Sequence, residues 1–175
     1  MQSIIFASGC FWCTEAVFQQ LKGVQSVVSG YVGGEKPNPT YDQVSMGNTG
    51  HAEAIKVEYD STVISLDVLL SVFFSTHDPT TRNRQGADVG SQYRSAIFYN
   101  SDAEKQVIES FIQQLETDKT FDNRIVTEVV PVQQFYPAES YHQSFYEQNK
   151  NYPYCQVVIE PKLAKLREKF GAFLR

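Results

Sequence analysis

The residues of this chain best suited to chemistry are two cysteines three positions apart. Cys10 and Cys13 lie in the segment 9–15 (GCFWCTE), which directly follows a short apolar run. A thiol at the start of a helix lies near unpaired backbone N–H groups and the positive end of the helix dipole, and both favour its thiolate. Residues three apart on a helix share a face, so this pair could also close a disulfide within one turn. We expect a reactive thiol here, beside an apolar wall formed by Phe11 and Trp12.

Three other uses of a C-x-x-C pair are less favoured by this sequence. A zinc site needs a second ligand pair, but no two of the remaining candidates fall at ligand spacing; these are Cys155, His51, His77 and His142. Two buried cysteines that only fill space would not need the flanking Gly9 or a junction between strand and helix. A thioredoxin-like oxidoreductase carries a βαβ segment before its motif, whereas this pair follows the first predicted strand.

The elements around the pair predict a layered α/β or α+β fold. The apolar run 2–7 is typical of a strand, and a helical apolar pattern follows it until Gly23. We therefore expect Cys10 at a strand-to-helix junction. Further helices are predicted over 66–74 after a Ser65 cap, after a capping box of Ser101 and Glu104, and over 163–173; further strands are predicted at 24–32, 55–59, 95–99, 125–132 and 156–159. This alternation indicates helices packed on a mixed sheet.

Two long polar stretches, 33–53 and 76–93, exceed the length that compact domains usually leave unstructured, so we expect them to be functional. Glu53 ends the first stretch, where partial desolvation could raise its pKa and keep the carboxyl protonated as an acid. By position alone, a solvated edge glutamate is the more favoured interpretation. The same reasoning assigns ordinary packing and turn roles to three further residues of these stretches: Tyr41, Asp88 and Tyr93.

Length and composition predict a single domain over residues 1–175. The chain is 42% hydrophobic, enough for one ordinary core. Its formal charge of -5 argues against nucleic acid or an anionic membrane as a partner. The apolar stretch 4–7 is too short for a signal sequence or a membrane span. An odd count of three cysteines does not suit a disulfide framework and favours thiols that are kept reduced in the cytoplasm.

Six short motifs stand in order along nearly the whole chain: 9–12 (GCFW), 39–41 (PTY), 50–53 (GHAE), 77–80 (HDPT), 92–95 (QYRS) and 141–143 (YHQ). Each motif alone is weak, but the six together at these separations are specific. The chain resembles a peptide methionine sulfoxide reductase of the A type. The resemblance implies an α+β fold, a two-layer α/β sandwich with a mixed sheet and a ferredoxin-like core.

The same resemblance implies a thiol-dependent reductase that acts on the S epimer of methionine sulfoxide, free or in proteins, and so repairs oxidised proteins. It implies no metal, flavin or nicotinamide cofactor, because the electrons come from thiols, those of thioredoxin or, in vitro, of dithiothreitol. Methionine sulfoxide and thioredoxin are then the expected partners, and a monomer is the expected state.

The resemblance also implies roles for individual residues. Cys10 matches the nucleophile that attacks the sulfoxide sulfur and becomes a sulfenic acid as methionine leaves. Glu53 matches the acid that protonates the sulfoxide oxygen. The other matched pocket positions are two hydroxyl donors to that oxygen, Tyr41 and Tyr93, the apolar wall for the S-methyl group, Phe11 and Trp12, and a polar residue, Asp88.

Two thiols are candidates for resolving the sulfenic acid. Cys13 stands where many members of the family have glycine, and it would need a constrained one-turn disulfide. Cys155 matches a position that often carries the resolving cysteine, and it would need a mobile approach. Three rival functions remain open from the residues: a general dithiol-disulfide oxidoreductase, a binding module for methionine peptides and a zinc-stabilised structural domain.

Overall fold

A mixed six-stranded sheet with helices packed on one face forms the fold, and the computed structural model describes all residues, 1–175. The strands are β1 (Gln2–Ser8), β2 (Val24–Val32), β3 (Ala52–Tyr59), β4 (Arg84–Gln85), β5 (Asp88–Val89), β6 (Ser95–Tyr99), β7 (Glu128–Pro131) and β8 (Tyr136–Pro137). The helices are α1 (Phe11–Phe18), α2 (Tyr41–Ser45), α3 (Leu66–Ser75), α4 (Asp102–Thr117), α5 (Phe145–Gln148) and α6 (Glu160–Phe170). Shorter helical turns are Ser91–Tyr93, Ser140–His142, Cys155–Ile159 and Gly171–Phe173.

The strand order in the sheet is β7-β6-β1-β3-β2-β8, and β4 pairs with β5 in a separate hairpin. Neighbouring strands of the sheet are antiparallel except β6 and β7, which are parallel. Helix α1 connects β1 to β2, and α3 follows β3. The predicted α+β class with a mixed sheet is confirmed, and the finer ferredoxin-like description of the core stays a prediction. None of the helices combines the length and the apolar character that crossing a bilayer requires.

Packing around the central strand β1 fixes the place where the thiol pair begins. Side chains alternate along a strand, so Ile4 and Phe6 enter the larger core beneath the helices, while Ile5 and Ala7 face a smaller core on the other side. The Phe6 ring stacks on Phe18 of α1 and on Phe73 of α3, with centroid distances of 5.1 and 4.9 Å. The turn between β1 and α1 is therefore held by packed elements on both sides.

Several predicted boundaries are confirmed. Strands β2 and β6 occupy the predicted residues. The hydroxyls of Ser65 and Ser101 cap α3 and α4, each accepting the N–H three residues further on at 3.2 Å. The Glu104 carboxylate accepts the N–H of Asn100 rather than that of Ser101, so only half of the predicted capping box forms.

The strand predicted at 156–159 is wrong. These residues belong to the π-helical turn Cys155–Ile159, which continues into α6. Cys155 and Ile159 have no exposed surface, whereas Val157 is 73% exposed. A strand would put all three residues on one face, while burial at a spacing of four is helical. Packing of this face against the core outweighs the strand preference of the two valines.

Candidate active site

Cys10 lies at the junction between strand β1 and helix α1, as predicted. It is the residue before α1, partly exposed, with its main-chain carbonyl accepting the first hydrogen bonds of the helix. The preceding Gly9 has φ +101°, a conformation that L side chains rarely adopt. A Cβ on Gly9 would lie 2.7 Å from Cγ of Gln85 in the β4–β5 hairpin. The turn that presents the thiol thus needs glycine both for its backbone angle and for the close approach of the hairpin.

Cys10 and Cys13 form a thiol pair whose members differ in acidity. The pKa of Cys13 is lowered to about 7, chiefly because its thiolate accepts a hydrogen bond from Cys10. Burial opposes this shift, while Lys162 and Tyr154 add to it. The pKa of Cys10 lies well above its usual value, first because the thiol is buried and then because of Cys13 and the charge of Glu53. The surroundings of the pair therefore favour the thiolate of Cys13 and disfavour that of Cys10.

Glu53 lies in β3 with only 1% of its surface exposed. Its Oε1 accepts the first N–H of α1, that of Phe11, at 3.1 Å. Burial raises the pKa of Glu53 to about 8, although the bond from Phe11 acts in the opposite direction. The carboxyl is therefore protonated at neutral pH. The interpretation of a solvated edge glutamate is wrong, because β3 is an inner strand of the sheet and its start is covered.

Two phenols lie close enough to this carboxyl for its charge to affect their pKa values. Tyr41 begins α2, and Tyr93 ends the turn Ser91–Tyr93; both elements lie in the long polar stretches that we expected to be functional. Burial, and next the charge of Glu53, raise the pKa of Tyr41 to about 12 and the pKa of Tyr93 further. Both phenols therefore keep their protons and can donate hydrogen bonds at neutral pH. Gln92 connects the two elements, since its Nε2 donates to the carbonyl of Ser45 in α2 at 3.3 Å.

The aromatic residues that follow Cys10 have different environments. Trp12 is partly exposed and stacks face to face on Phe145, with the centroids 3.7 Å apart and the planes 5° apart. Its indole N–H donates to Nδ1 of His142 at 3.0 Å. Phe11 has no exposed surface, and its ring packs against His142 at 5.1 Å and Tyr31 at 5.7 Å. Trp12 is thus the accessible part of the apolar wall, and Phe11 supports the pocket from behind.

A cavity of about 230 Å³ opens beside the thiol pair. Its lining comprises Ser8, Cys10, Cys13, Gln85, Gly86, Ala87, Asp88, Tyr154, Val158 and Lys162. The Tyr154 hydroxyl donates to Oδ2 of Asp88 at 3.3 Å and lies 3.4 Å from Sγ of Cys13. Asp88 therefore lines the same cavity as the two thiols.

Sequence reasoning missed two residues of this cavity. It gave Tyr154 no role, and its position next to Cys155 was the only signal that could have drawn attention to it. Lys162 also gave no functional signal, because basic residues that recur along an amphipathic helix are typical of its solvated side. The Lys162 ammonium instead donates to the carbonyl of Thr76 at 2.8 Å, and its charge lowers the pKa of Cys13.

The third cysteine lies outside the cavity that Cys10 and Cys13 line. Cys155 is completely buried in the larger core and does not line the thiol cavity, although the neighbouring Tyr154 does. Burial, and next the charge of Cys13, raise the pKa of Cys155. The structure thus presents Cys10 and Cys13 together and keeps Cys155 behind them. Histidine, cysteine and acidic side chains nowhere gather in a group of three or more that could hold a metal ion, so the zinc interpretation lacks a donor set.

Comparison with known proteins shows which family the chain belongs to. The profile of the family described as Peptide methionine sulfoxide reductase matches residues 2–173. The chain belongs to this family. "Peptide methionine sulfoxide reductase MsrA" of Deinococcus radiodurans is 54% identical over 174 residues, which are 99% of this chain and 84% of that protein. The resemblance found in the six motifs is confirmed.

Solved structures support the same assignment. Mxr1 from Saccharomyces cerevisiae in reduced form superposes with a TM-score of 0.83 at 35% identity, covering 88% of each chain. Mxr1 in complex with Trx2 superposes with a TM-score of 0.58 at 28% identity, covering 82% of this chain and 84% of that one. This peptide methionine sulfoxide reductase is thus an oxidoreductase that reduces methionine sulfoxide with electrons from thiols.

Proposed function

We propose that Cys10 is the nucleophile that reduces methionine S-sulfoxide, free or in proteins, and that Glu53 is its acid. The observation that carries this proposal is the Glu53 carboxyl, which is buried, protonated at neutral pH and bonded to the N–H of the residue after Cys10. A sulfoxide oxygen is a poor leaving group unless it is protonated or hydrogen-bonded. A neutral carboxylic acid beside the thiol meets this need.

In the proposed first step, the Cys10 sulfur attacks the sulfoxide sulfur while Glu53 hydrogen-bonds and protonates its oxygen. The S–S bond formed by this attack and the S–O bond of the substrate then break as the oxygen bonds to Cys10, which leaves a sulfenic acid on Cys10 and releases the thioether of methionine. The substrate sulfur gains the two electrons that the Cys10 sulfur loses, and no net proton is consumed. The Cys13 thiolate accepts the Cys10 proton, which suits its pKa of about 7.

The remaining pocket residues serve to distinguish the two epimers. A chiral sulfur is recognised only if its oxygen, methyl group and chain are held separately. We propose that Tyr41 and Tyr93 donate to the oxygen and that Trp12 receives the methyl group, with Phe11 and Asp88 completing the pocket. This assignment is supported by the raised pKa values of both phenols and by the partly exposed face of Trp12.

We propose Cys13 as the thiol that resolves the sulfenic acid. Its attack on the Cys10 sulfur forms a disulfide and releases the oxygen as water. Cys10 precedes the helix with φ -59° and ψ 126°, so its side chain is not confined to the helical direction when it pairs with Cys13. Cys155 is buried and would first have to leave the core. The latter route remains the alternative that the experiment must test.

We propose that thioredoxin, or dithiothreitol in vitro, reduces the resulting disulfide by thiol-disulfide exchange and returns the enzyme to its starting state. Support comes from the relative Mxr1, whose structure has been solved in complex with Trx2. All three cysteines of the chain are free, which suits a compartment that keeps thiols reduced. We therefore propose a cytoplasmic monomer, without other cofactor, that repairs oxidised methionine.

The decisive experiment is a single turnover with methionine S-sulfoxide in the absence of reductant. Wild type, C13S and C155S should each form about one methionine per enzyme, as one sulfenic acid per Cys10 requires, and C10S should form none. Peptide mapping of the oxidised wild type should then find Cys10 joined to Cys13. A Cys10–Cys155 bond would refute the proposed resolving step alone, whereas methionine formation by C10S would refute the mechanism.

A general dithiol-disulfide oxidoreductase is the second candidate, because the pKa of Cys13 near 7 also suits disulfide exchange. Insulin disulfide reduction distinguishes the two functions. The proposed enzyme should reduce methyl sulfoxides and leave insulin disulfides almost untouched.

A further inference from the structure

His142 is a buried imidazole that takes no part in the steps above. It lies in the turn Ser140–His142 and is 1% exposed. Its Nδ1 accepts the indole N–H of Trp12 at 3.0 Å. Because an indole has a single donor, this bond satisfies the hydrogen-bonding capacity of the Trp12 side chain.

The other ring nitrogen is unpaired. A neutral imidazole that accepts at Nδ1 carries its proton at Nε2, and burial favours the neutral form by lowering the pKa of His142. Nε2 is buried without a hydrogen-bond partner. The hydrogen bond of the ring within the protein therefore goes to Trp12, and this bond fixes the position of the ring together with its packing against Phe11 and Tyr41.

The neighbours of the His142 ring include two residues of the proposed substrate pocket. The His142 ring is 4.3 Å from the ring of Tyr41, the proposed donor to the sulfoxide oxygen. Through its hydrogen bond it also holds Trp12, the proposed wall for the methyl group, whose ring is stacked on Phe145. One side chain therefore contacts the group that receives the oxygen and the group that receives the methyl.

We propose that His142 is a positioning residue that keeps Trp12 and Tyr41 at a fixed separation and thereby sets the preference for one sulfoxide epimer. This role rests on the proposed function, because it acts only through residues of that pocket. His142 itself does not reach the reacting atoms. Its loss should therefore weaken substrate binding and epimer discrimination, while the chemistry at Cys10 and Glu53 is kept.

Two substitutions test the roles of the two ring nitrogens separately. In H142N the amide oxygen lies near the position of Nδ1 and can still accept from Trp12. In H142Q the amide extends towards the position of Nε2 and leaves Trp12 without that acceptor. H142F keeps a ring and removes both nitrogens. Since Trp12 is the one tryptophan of the chain, fluorescence and ultraviolet resonance Raman spectra report its indole N–H alone.

H142N should keep the spectrum of a hydrogen-bonded indole and a KM close to that of wild type. H142Q and H142F should lose that spectral signature, raise KM about tenfold, the equivalent of one hydrogen bond, and discriminate less between the S and R epimers, with kcat nearly unchanged. Thermal unfolding checks that each variant is folded. If H142F does not fold, the comparison of H142N with H142Q tests the proposal.

Two results would overturn the proposal. One is an H142Q protein with the wild-type indole signature, KM and epimer preference. The other is an H142N protein that keeps the signature but loses substrate affinity, because the Nε2 proton and not the link to Trp12 would then matter. If wild type failed to reduce methionine sulfoxide, both the proposed function and this role of His142 would be refuted. If wild type is active and a variant gives one of the two results above, only the role of His142 is refuted.

Discussion

Glu53 and Phe11 are joined by a hydrogen bond from the Phe11 main-chain N–H to the Glu53 carboxyl at 3.1 Å. The bond links the inner strand β3 to the first turn of α1, across 42 positions of sequence. Because its donor is a backbone group, it orients the carboxyl towards the start of the helix whatever side chain follows Cys10. Acid and nucleophile are thereby fixed relative to each other by the sheet and the helix rather than by a flexible contact.

Substitution E53Q should remove the proton donor and keep the acceptor for Phe11. We expect the rate of methionine formation in a single turnover to fall about 10²- to 10⁴-fold, the usual contribution of a positioned general acid. Alkylation of Cys10 by iodoacetamide should proceed nearly as in wild type, which controls for loss of the thiol. An E53Q enzyme as fast as wild type would show that the carboxyl is not the acid.

The pH dependence of the same single turnover should follow Glu53. Its pKa of about 8 means that the protonated acid is lost as pH rises through 8, so the rate should fall there. E53Q should lack this descending limb, because its amide does not titrate. A descending limb of the same midpoint in E53Q would assign it to another group.

Stability should follow Glu53 in the same direction. Burial raises its pKa in the fold from 4.5 to about 8, so the folded state holds a proton that the unfolded chain releases between these values. The contribution of this proton to the stability of the fold is complete below pH 4.5 and is lost as pH rises through 8. In denaturant unfolding across this pH range, the free energy of unfolding of wild type should fall relative to that of E53Q as pH rises. A difference between the two proteins that is independent of pH would contradict the assignment.

Titration of the thiols should reveal the pairing of Cys10 with Cys13. Ultraviolet thiolate absorbance of wild type should show a first step near pH 7, which belongs to Cys13. In C10A this step should move to higher pH, because the thiolate loses the hydrogen bond that is the largest cause of its lowered pKa. C155A serves as the matched control and should leave the step in place. A first step that survives unchanged in C10A would show that the thiols do not interact.

Sequence patterns predicted the parts of the site that depend on local structure. The run before Cys10 and the helical pattern after it place the thiol at a junction, and the capping serines mark α3 and α4. The pKa values of the two thiols could not be predicted from local sequence patterns. The lowered pKa of Cys13 arises from Cys10, Lys162 and Tyr154, and two of these come from a distant part of the chain. The strand predicted at 156–159 failed for a related reason, because the core and not the local preference of valine decides that turn.

Cys155 should behave as a core residue in the resting enzyme. C155A should lower stability only slightly, whereas C155S buries a hydroxyl without an assured partner and should cost about 1–3 kcal/mol. Denaturant unfolding measures both variants. Neither should change the Cys10–Cys13 disulfide found after a single turnover. Loss of that disulfide in both variants would mean that Cys155 takes part in the resolving step.

Gly9→Ala should disturb both the fold and the thiol. At φ +101° an L residue is strained, and its Cβ would press on Gln85 of the hairpin that covers the thiol cavity. We expect a loss of about 1–3 kcal/mol in stability and slower single turnover, since either the turn or the hairpin must move. Gly171→Ala is the matched control: its φ is -52° and nothing lies within 4 Å of an added Cβ, so it should stay within about 0.5 kcal/mol of wild type. Equal stability of the two variants in denaturant unfolding would show that the junction tolerates a side chain and that glycine there is not required for presenting Cys10.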